Sequence, residues 1–294
     1  MKTVLSRAVA GLGVLLAGLI VAGHGGALHP AGDSLAVFRW ELSLALLPLA
    51  VLLAPLGRRR LAAALALTAI VAGGPILWSM RPADAGDGFR LYQKNVWIGN
   101  GQGEAILTDI RASGADIVTL QEVHRRHDPM VADLRRTHPG WQRCHGGIHV
   151  FSRLPLADGG GRCLADRGLA VALLHVETRA GPVWIASVHL SWPWPREQAD
   201  EARRIAHALA PLDGPVVVAG DFNMVPWGHA FRQIAGAVGA VPAGPLRATH
   251  HIPGLGLPPL RIDHVLVPRG WAAAVERRGK LGSDHVGLLA RIGP

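Results

Sequence analysis

Gly220-Asp221-Phe222-Asn223 follows directly on Val216-Val217-Val218-Ala219, and this stretch decides how the chain is read. The apolar, β-branched run, bounded by Pro215 and Gly220, reads as a buried strand. Asp221 and Asn223 lie two residues apart, so an extended backbone projects both to one side as the strand runs out. Two oxygen donors at a strand end suit a hard cation or a reacting phosphate. A plain Asx turn uses the same residues, and this stretch alone leaves both readings open.

Working outward, the pattern recurs. Asp116-Ile117-Val118-Thr119-Leu120 predicts a strand ending in Gln121-Glu122, and Val183-Trp184-Ile185-Ala186-Ser187-Val188 predicts one ending in His189. Asp263 stands at the start of a strand within Arg261–Val267, Asn95 lies in the strand-like Leu91–Trp97, and Ser283-Asp284-His285 closes the series. Polar groups at the ends of several separate strands are what a site built on a rigid sheet needs.

Asn95, Gln121-Glu122, His189, Gly220-Asp221-Phe222-Asn223, Asp263 and Ser283-Asp284-His285, in that order, resemble the motifs of the endonuclease/exonuclease/phosphatase superfamily. That group includes deoxyribonuclease I, exonuclease III, neutral sphingomyelinases and inositol polyphosphate 5-phosphatases. The resemblance covers residues 89–294. It implies an α/β fold, a two-sheet sandwich of the deoxyribonuclease I-like type with helices outside and the active site at one edge of the sheets. It implies hydrolysis of a phosphoric ester or anhydride, which needs an activated water and charge neutralisation on the phosphoryl oxygens. By the same resemblance Glu122 is the main metal ligand, with Asn95 and Asp284 supporting it. His285 is the general base, Asp263 orients its imidazole, and Asp221 and Asn223 position nucleophile and phosphate. His189 stabilises the phosphate or protonates the leaving oxygen. Oxygen-rich ligation without clustered Cys favours Mg²⁺ or Mn²⁺ over Zn²⁺. Trp97 stands where some nucleases of the group carry an acid, which argues against a nuclease and leaves the number of metals open.

Residues 1–78 have another character. Three apolar runs, Ala8–Ala22, Leu42–Leu56 and Leu61–Trp78, predict three transmembrane helices, the first two lengthened by neighbours such as Val4, Leu5, Phe38 and Trp40. Lys2, Arg7 and Arg58-Arg59-Arg60 outweigh the lone Arg39 of the other loop, so the positive-inside rule places the N-terminus and Arg58–Arg60 in the cytoplasm. The C-terminal domain is then extracytoplasmic, and remains so if the first run is a signal peptide. Residues 79–88 read as a linker, flexible over Arg81–Gly88, and residues 89–294 as one catalytic domain, large enough for one core.

The chain carries a net charge of +9, with the basic residues scattered instead of forming a stripe. Such a surface suits any polyanion and does not choose among DNA, anionic lipid and pyrophosphate. Cys144 and Cys163 flank the strand-like Ile148–Ser152, so outside the cytoplasm a disulfide and two buried thiols are both open. His149, His250, His251 and His264 lie nearest the motifs and are candidates to line a substrate site. His124, His127, His138, His145, His175, His207 and His229 read as surface or core-edge residues. Trp192, Trp194 and Trp227 follow His189 and the Gly220–Asn223 motif closely. On a tethered domain, Pro-flanked Trp residues suit a membrane interface.

Three spans followed by an outward domain of this superfamily resemble the VanJ group of teicoplanin-resistance proteins, whose implied substrate is undecaprenyl pyrophosphate. The expectation is therefore a Mg²⁺-dependent phosphohydrolase on the outer face of the cytoplasmic membrane, acting on a lipid-linked phosphate or pyrophosphate. A membrane-anchored nuclease or sphingomyelinase-like phosphodiesterase is the alternative, nucleic acid being the less favoured partner.

Overall fold

The computed structural model describes residues 2–166, 169–251 and 259–294. Beyond residue 88 it is a sandwich of two mixed six-stranded sheets. The first has the order β11-β12-β1-β2-β4-β3. Its strands are β1 (Phe89–Asn95), β2 (Ile117–Gln121), β3 (Gly140–Cys144), β4 (Ile148–Ser152), β11 (Ala272–Arg277) and β12 (Leu288–Gly293). The second, β5-β6-β7-β8-β10-β9, comprises β5 (Leu156–Asp166), β6 (Leu169–Thr178), β7 (Gly181–His189), β8 (Val216–Asp221), β9 (Ala240–Pro242) and β10 (Asp263–Pro268). Among the named strands of the described residues, β1–β2 and β7–β8 pair in parallel and the others antiparallel. Helices α5 (Gly103–Ser113) and α6 (Asp128–Thr137) accompany the first sheet, and α7 (Gln198–Leu209) and α8 (His229–Ala237) the second.

The period of two in each strand explains both core and site. In β8, Val216 and Val218 turn toward the core shared with α7 and α8, while Val217 and Ala219 enter the space between the sheets. That double burial is why the run is continuously apolar. The inter-sheet positions then change character along each strand: Leu91, Gln93, Asn95 in β1; Ile117, Thr119, Gln121 in β2; Ile185, Ser187, His189 in β7; Val217, Ala219, Asp221 in β8. β10 runs the other way, from Asp263 to Val265 and Val267. The filling between the sheets is thus apolar at one end and polar at the other.

In residues 2–79, α1 (Lys2–Ala22), α3 (Arg39–Leu53) and α4 (Arg59–Ser79) pack around Ala10, Ala50, Ala62, Ala69 and Ala72. Small residues let apolar helices approach closely. Two of these helices, α1 and α4, are long and apolar enough to cross a membrane. Of the three expected spans the middle one is corrected: the run Leu42–Leu56 contributes a 15-residue helix with Pro48 inside. At 1.5 Å per residue that is roughly 22 Å, short of a hydrocarbon core about 30 Å thick.

The segment before α3 does not stay with the helices. In α2 (Ala31–Ala36), the Asp33 carboxylate accepts hydrogen bonds from His229 N and Ala230 N at the start of α8, at 2.6 and 2.9 Å. Ala36 and Val37 join the apolar core of the second sheet, and Ala36 O accepts Trp227 Nε1. Glu41 pairs with Arg261 at 3.5 Å. The stretch expected to be a flexible linker is also held: Gly86 N and Gly88 N donate to the carbonyls of Arg291 and Ile292 in β12.

Candidate active site

The polar end of the inter-sheet space opens into a cavity of about 410 Å³ lined by Glu122, His189, Asp221, Asn223, Asp284 and His285 among others. Register brings the groups together: Asn95 pairs with Gln121, His189 with Asp221, and Asp221 with Asp263. Asn95 Nδ2 links the sheets, donating to Glu122 Oε1 at 2.9 Å and Asp221 Oδ2 at 3.0 Å. Glu122 follows the end of β2 with φ 58°, a left-handed turn. Its Oε2 accepts Ile98 N. Gly147 permits the turn, since a Cβ there would meet Val123 O at 2.5 Å.

Asp221 has two functions at once. Oδ1 accepts Asn223 N at 2.8 Å, so the Asx turn open in the sequence does form. Oδ2 faces the site, 3.6 Å from His285 Nε2 and 3.7 Å from His189 Nε2. Gly220 stands before it because a Cβ would collide with the Val188 carbonyl. Asn223 Nδ2 donates to Leu190 O, and Asn223 Oδ1 is buried with no partner among the described residues.

His285 Nδ1 lies 2.7 Å from Asp263 Oδ2, and Gln93 Nε2 donates to the other Asp263 oxygen at 3.1 Å. Burial opposes charge on His285, but Asp263 and then Asp221 outweigh it and raise the imidazole to about 10. Burial likewise opposes ionisation of Asp263, yet His285 holds that carboxyl below its ordinary value. Asp221 goes the other way: burial pushes it up to about 6, against the pull of His285. Below the pair, the fully buried Lys94 donates its ammonium to His285 O at 3.0 Å and Gly279 O at 3.1 Å. Ser283 Oγ fixes the same loop, donating to Asn95 O and accepting His285 N.

All eight residues expected to carry the chemistry stand around this one end of the sandwich. Among the described residues, ligand atoms mutually within 4.8 Å occur in two sets, His250-Asp284-His285 and Asp221-Asp263-His285. Glu122 lies in neither set but lines the same cavity as Asp284. The donor chemistry fits a hard divalent cation. Among the described residues, the ion pairs that Glu122, Asp221, Asp263 and Asp284 make within 4 Å are with His189, His250 and His285, and none is with Lys or Arg.

Four histidines were candidates for the lining. His250 belongs there: it is buried, its ring centroid lies 4.4 Å from that of His285, and its Nδ1 has no hydrogen-bond partner among the described residues. His264 is a core residue, bonded to Met224 O between Phe222 and Phe231. His149 accepts Trp141 Nε1 in a neighbouring groove, and His251 is exposed. His145, expected at the surface, lines the cavity with Arg196 and Trp192, whereas Trp227 does not. Cys144 and Cys163 are joined as a disulfide.

The chain belongs to the endonuclease/exonuclease/phosphatase family, whose pattern matches residues 93–285. Members of that family are phosphoric ester hydrolases, generally metal-dependent. The fold is shared with sphingomyelinase C from Streptomyces griseocarneus (18% identity, TM-score 0.52, covering 69% of this chain and 98% of that one). It is shared with truncated Caenorhabditis elegans TDP2 (14%, 0.56, 71% and 98%). It is shared too with a Staphylococcus aureus beta toxin variant with bound magnesium ions (13%, 0.55, 69% and 99%). No curated protein matches the chain significantly.

Proposed function

We propose that the protein is a Mg²⁺- or Mn²⁺-dependent phosphohydrolase anchored in the cytoplasmic membrane, with its catalytic domain outside, acting on a lipid-linked phosphate such as undecaprenyl pyrophosphate. The observation that carries the lipid assignment is the distribution of exposed apolar side chains. Among the described residues, the large ones lie on α1, α3 and α4 except for Leu28, Trp97, Ile98, Leu156, Trp192 and Trp194. A water-soluble surface rarely exposes so continuous an apolar sleeve. Arg58 Nε donates to Ser6 Oγ, gathering the basic ends of the helices away from the catalytic domain. Trp192 lines the catalytic cavity and Trp194 is exposed beside it, so a substrate head could enter while its tail stays in the bilayer.

The residues divide the work by position. Glu122, Asn95 and Asp284 hold the cation, with Asp221 alongside. When bound, it neutralises the phosphoryl oxygens, acidifies water and lowers the proton affinity of the nearby imidazole. His285, oriented through Nδ1 by Asp263, is placed to take a proton from water at Nε2, the ring nitrogen turned toward Asp221. Asp263 and Asp221 favour the protonated ring and raise it to about 10. His189 stands across Asp221 to hydrogen-bond a phosphoryl or leaving oxygen.

The alternative, an anchored nuclease or sphingomyelinase-like phosphodiesterase, draws support from a groove bearing Arg125, Arg135 and Arg143, which shares His145 and Gly146 with the catalytic cavity. The deciding experiment is a Mg²⁺-dependent assay on detergent-purified protein offered undecaprenyl pyrophosphate, sphingomyelin and plasmid DNA. Terminal phosphate release from the first is expected. Ready nicking of plasmid with polyprenyl pyrophosphate left intact would transfer the assignment to the nuclease.

A further inference from the structure

A second cavity, of about 560 Å³, lies where α1, α3 and α4 meet the catalytic domain, and it shares no lining residue with the catalytic one. His24 just beyond α1, Arg39 at the start of α3 and Ser79 at the end of α4 all line it, so it sits at one end of the helix bundle. Among the described residues its wall holds no Asp or Glu.

Arg39 is 6% exposed. Its Nη2 donates to Gly23 O at 2.7 Å, and its Nε has no partner among the described residues. Asp33 attracts it through space, against the repulsion of Arg232, but makes no ion pair with it within 4 Å among the described residues, and its carboxylate oxygens accept the N–H groups of α8. A buried guanidinium without an anion is costly, since desolvation is not offset by pairing. A directly paired anion is therefore what Arg39 lacks among the described residues, and Arg81 adds a second cation at the mouth of the cavity.

The opposite wall is apolar and belongs to α4: Val71, Ala72, Pro75 and Ile76. It continues along the helix into Leu67 and Ile70, both 62% exposed. Trp78, with the Arg81 guanidinium 3.7 Å over its ring, marks the level at which aromatic side chains meet lipid headgroups. One cavity thus offers a cationic end and an apolar track leading away from it.

We propose that this cavity holds the headgroup of an anionic membrane phospholipid, separate from the substrate, with its phosphate on Arg39 and an acyl chain along α4. The inference rests on the membrane anchoring proposed above. Such a lipid joins α3, α4 and the 242–246 segment of the catalytic domain across one headgroup, and so fixes the domain on its anchor.

The test uses the full chain in three settings: phosphatidylcholine vesicles, the same vesicles containing phosphatidylglycerol, and detergent with glycerol 3-phosphate. Flotation and apparent Tm are measured in parallel. Protein is expected to float with both vesicles. Phosphatidylglycerol should raise Tm by several degrees over phosphatidylcholine, as a ligand of the native state does. Glycerol 3-phosphate, without chains, should give little of that rise. Arg39→Gln should lose the rise, and so should Ala83→Trp, which narrows the cavity from its exposed rim without removing a charge. If Arg39→Gln does not fold, Ala83→Trp decides. Equal Tm in the two vesicles, or a rise kept in both variants, overturns the proposal. A full rise with glycerol 3-phosphate overturns its lipid character. Flotation without the rise sinks this inference alone, whereas no flotation with either vesicle sinks the anchoring as well.

Discussion

Asp33→Ala is expected to destabilise a helix that lies 196 residues further along the chain. Helix α8 begins after Gly228, which has no side chain to cap it, and Asp33 supplies the cap from the N-terminal region. Its carboxylate is 4% exposed and takes two N–H groups, one on each oxygen. Loss of a capping side chain costs about 0.5–2 kcal/mol. The negative charge at a helix N-terminus adds about 0.3–1 kcal/mol. Leaving two buried N–H groups without an acceptor moves the sum toward the upper end, so about 2–3 kcal/mol is expected. For a domain of this size that is a fall in Tm of roughly 5–10 °C. Asp33→Asn, which keeps one acceptor and loses the charge, should fall between Asp33→Ala and wild type. The assay is thermal unfolding of the full-length protein in detergent, followed by tryptophan fluorescence, with the exposed Asp84→Ala as control. An Asp33→Ala protein that melts with wild type would show that α2 is not docked on α8.

Glu122→Gln and His285→Ala should each lower turnover by at least about 10²-fold while leaving folding intact, and chelation should abolish activity until Mg²⁺ or Mn²⁺ is returned. Full activity in EDTA would contradict the assigned chemistry. Lys94→Met keeps the buried stem but leaves the carbonyls of His285 and Gly279 without their donor; kcat should fall about tenfold or more with KM little changed, and a change confined to KM would refute the positioning role. Because the folded His285 value, about 10, exceeds the ordinary 6.5, its ion pair contributes stability that is complete below about pH 6.5 and is lost as pH rises toward 10. The stability gap between wild type and Asp263→Asn in metal-free buffer should therefore shrink across that window, and a constant gap would count against the pair. Trp192→Ala with Trp194→Ala should slow hydrolysis of a vesicle-borne substrate more than of a short-chain soluble one; equal losses would remove the membrane-contact role.

The strands that carry the site were legible because each ends abruptly in a polar residue after an apolar run. Val216–Asp221 and Ile117–Gln121 are marked by that change alone, and family-like spacing ordered the rest. What stayed hidden depends on distance in space. Gln93, Lys94 and Asn95 are three successive polar residues in one strand, all fully buried, a signal that something unusual is buried there. It did not reveal that Gln93 reaches Asp263, 170 residues away, or that Lys94 braces the His285 loop. His250 and His264 look equivalent in sequence, and only the packing of Phe222 and Phe231 around one of them separates core from site. The middle apolar run yields a helix too short to span because composition does not register its two limits: it ends at Leu53, before Pro55, and it starts no earlier than Arg39, since α2 has turned onto the catalytic domain.

The Cys144–Cys163 bond joins β3 to β5, and each of these strands is the outermost of its sheet. An outermost strand carries unpaired N–H and C=O groups and is a template for a neighbouring chain. Clasped together, the two borders are held against each other, so neither can swing out to meet a neighbouring chain. Chains made where thiols stay reduced would expose both borders at once during folding. Self-association through them, more than loss of chemistry, is then the first failure to look for, and the choice of compartment for production becomes a question of solubility.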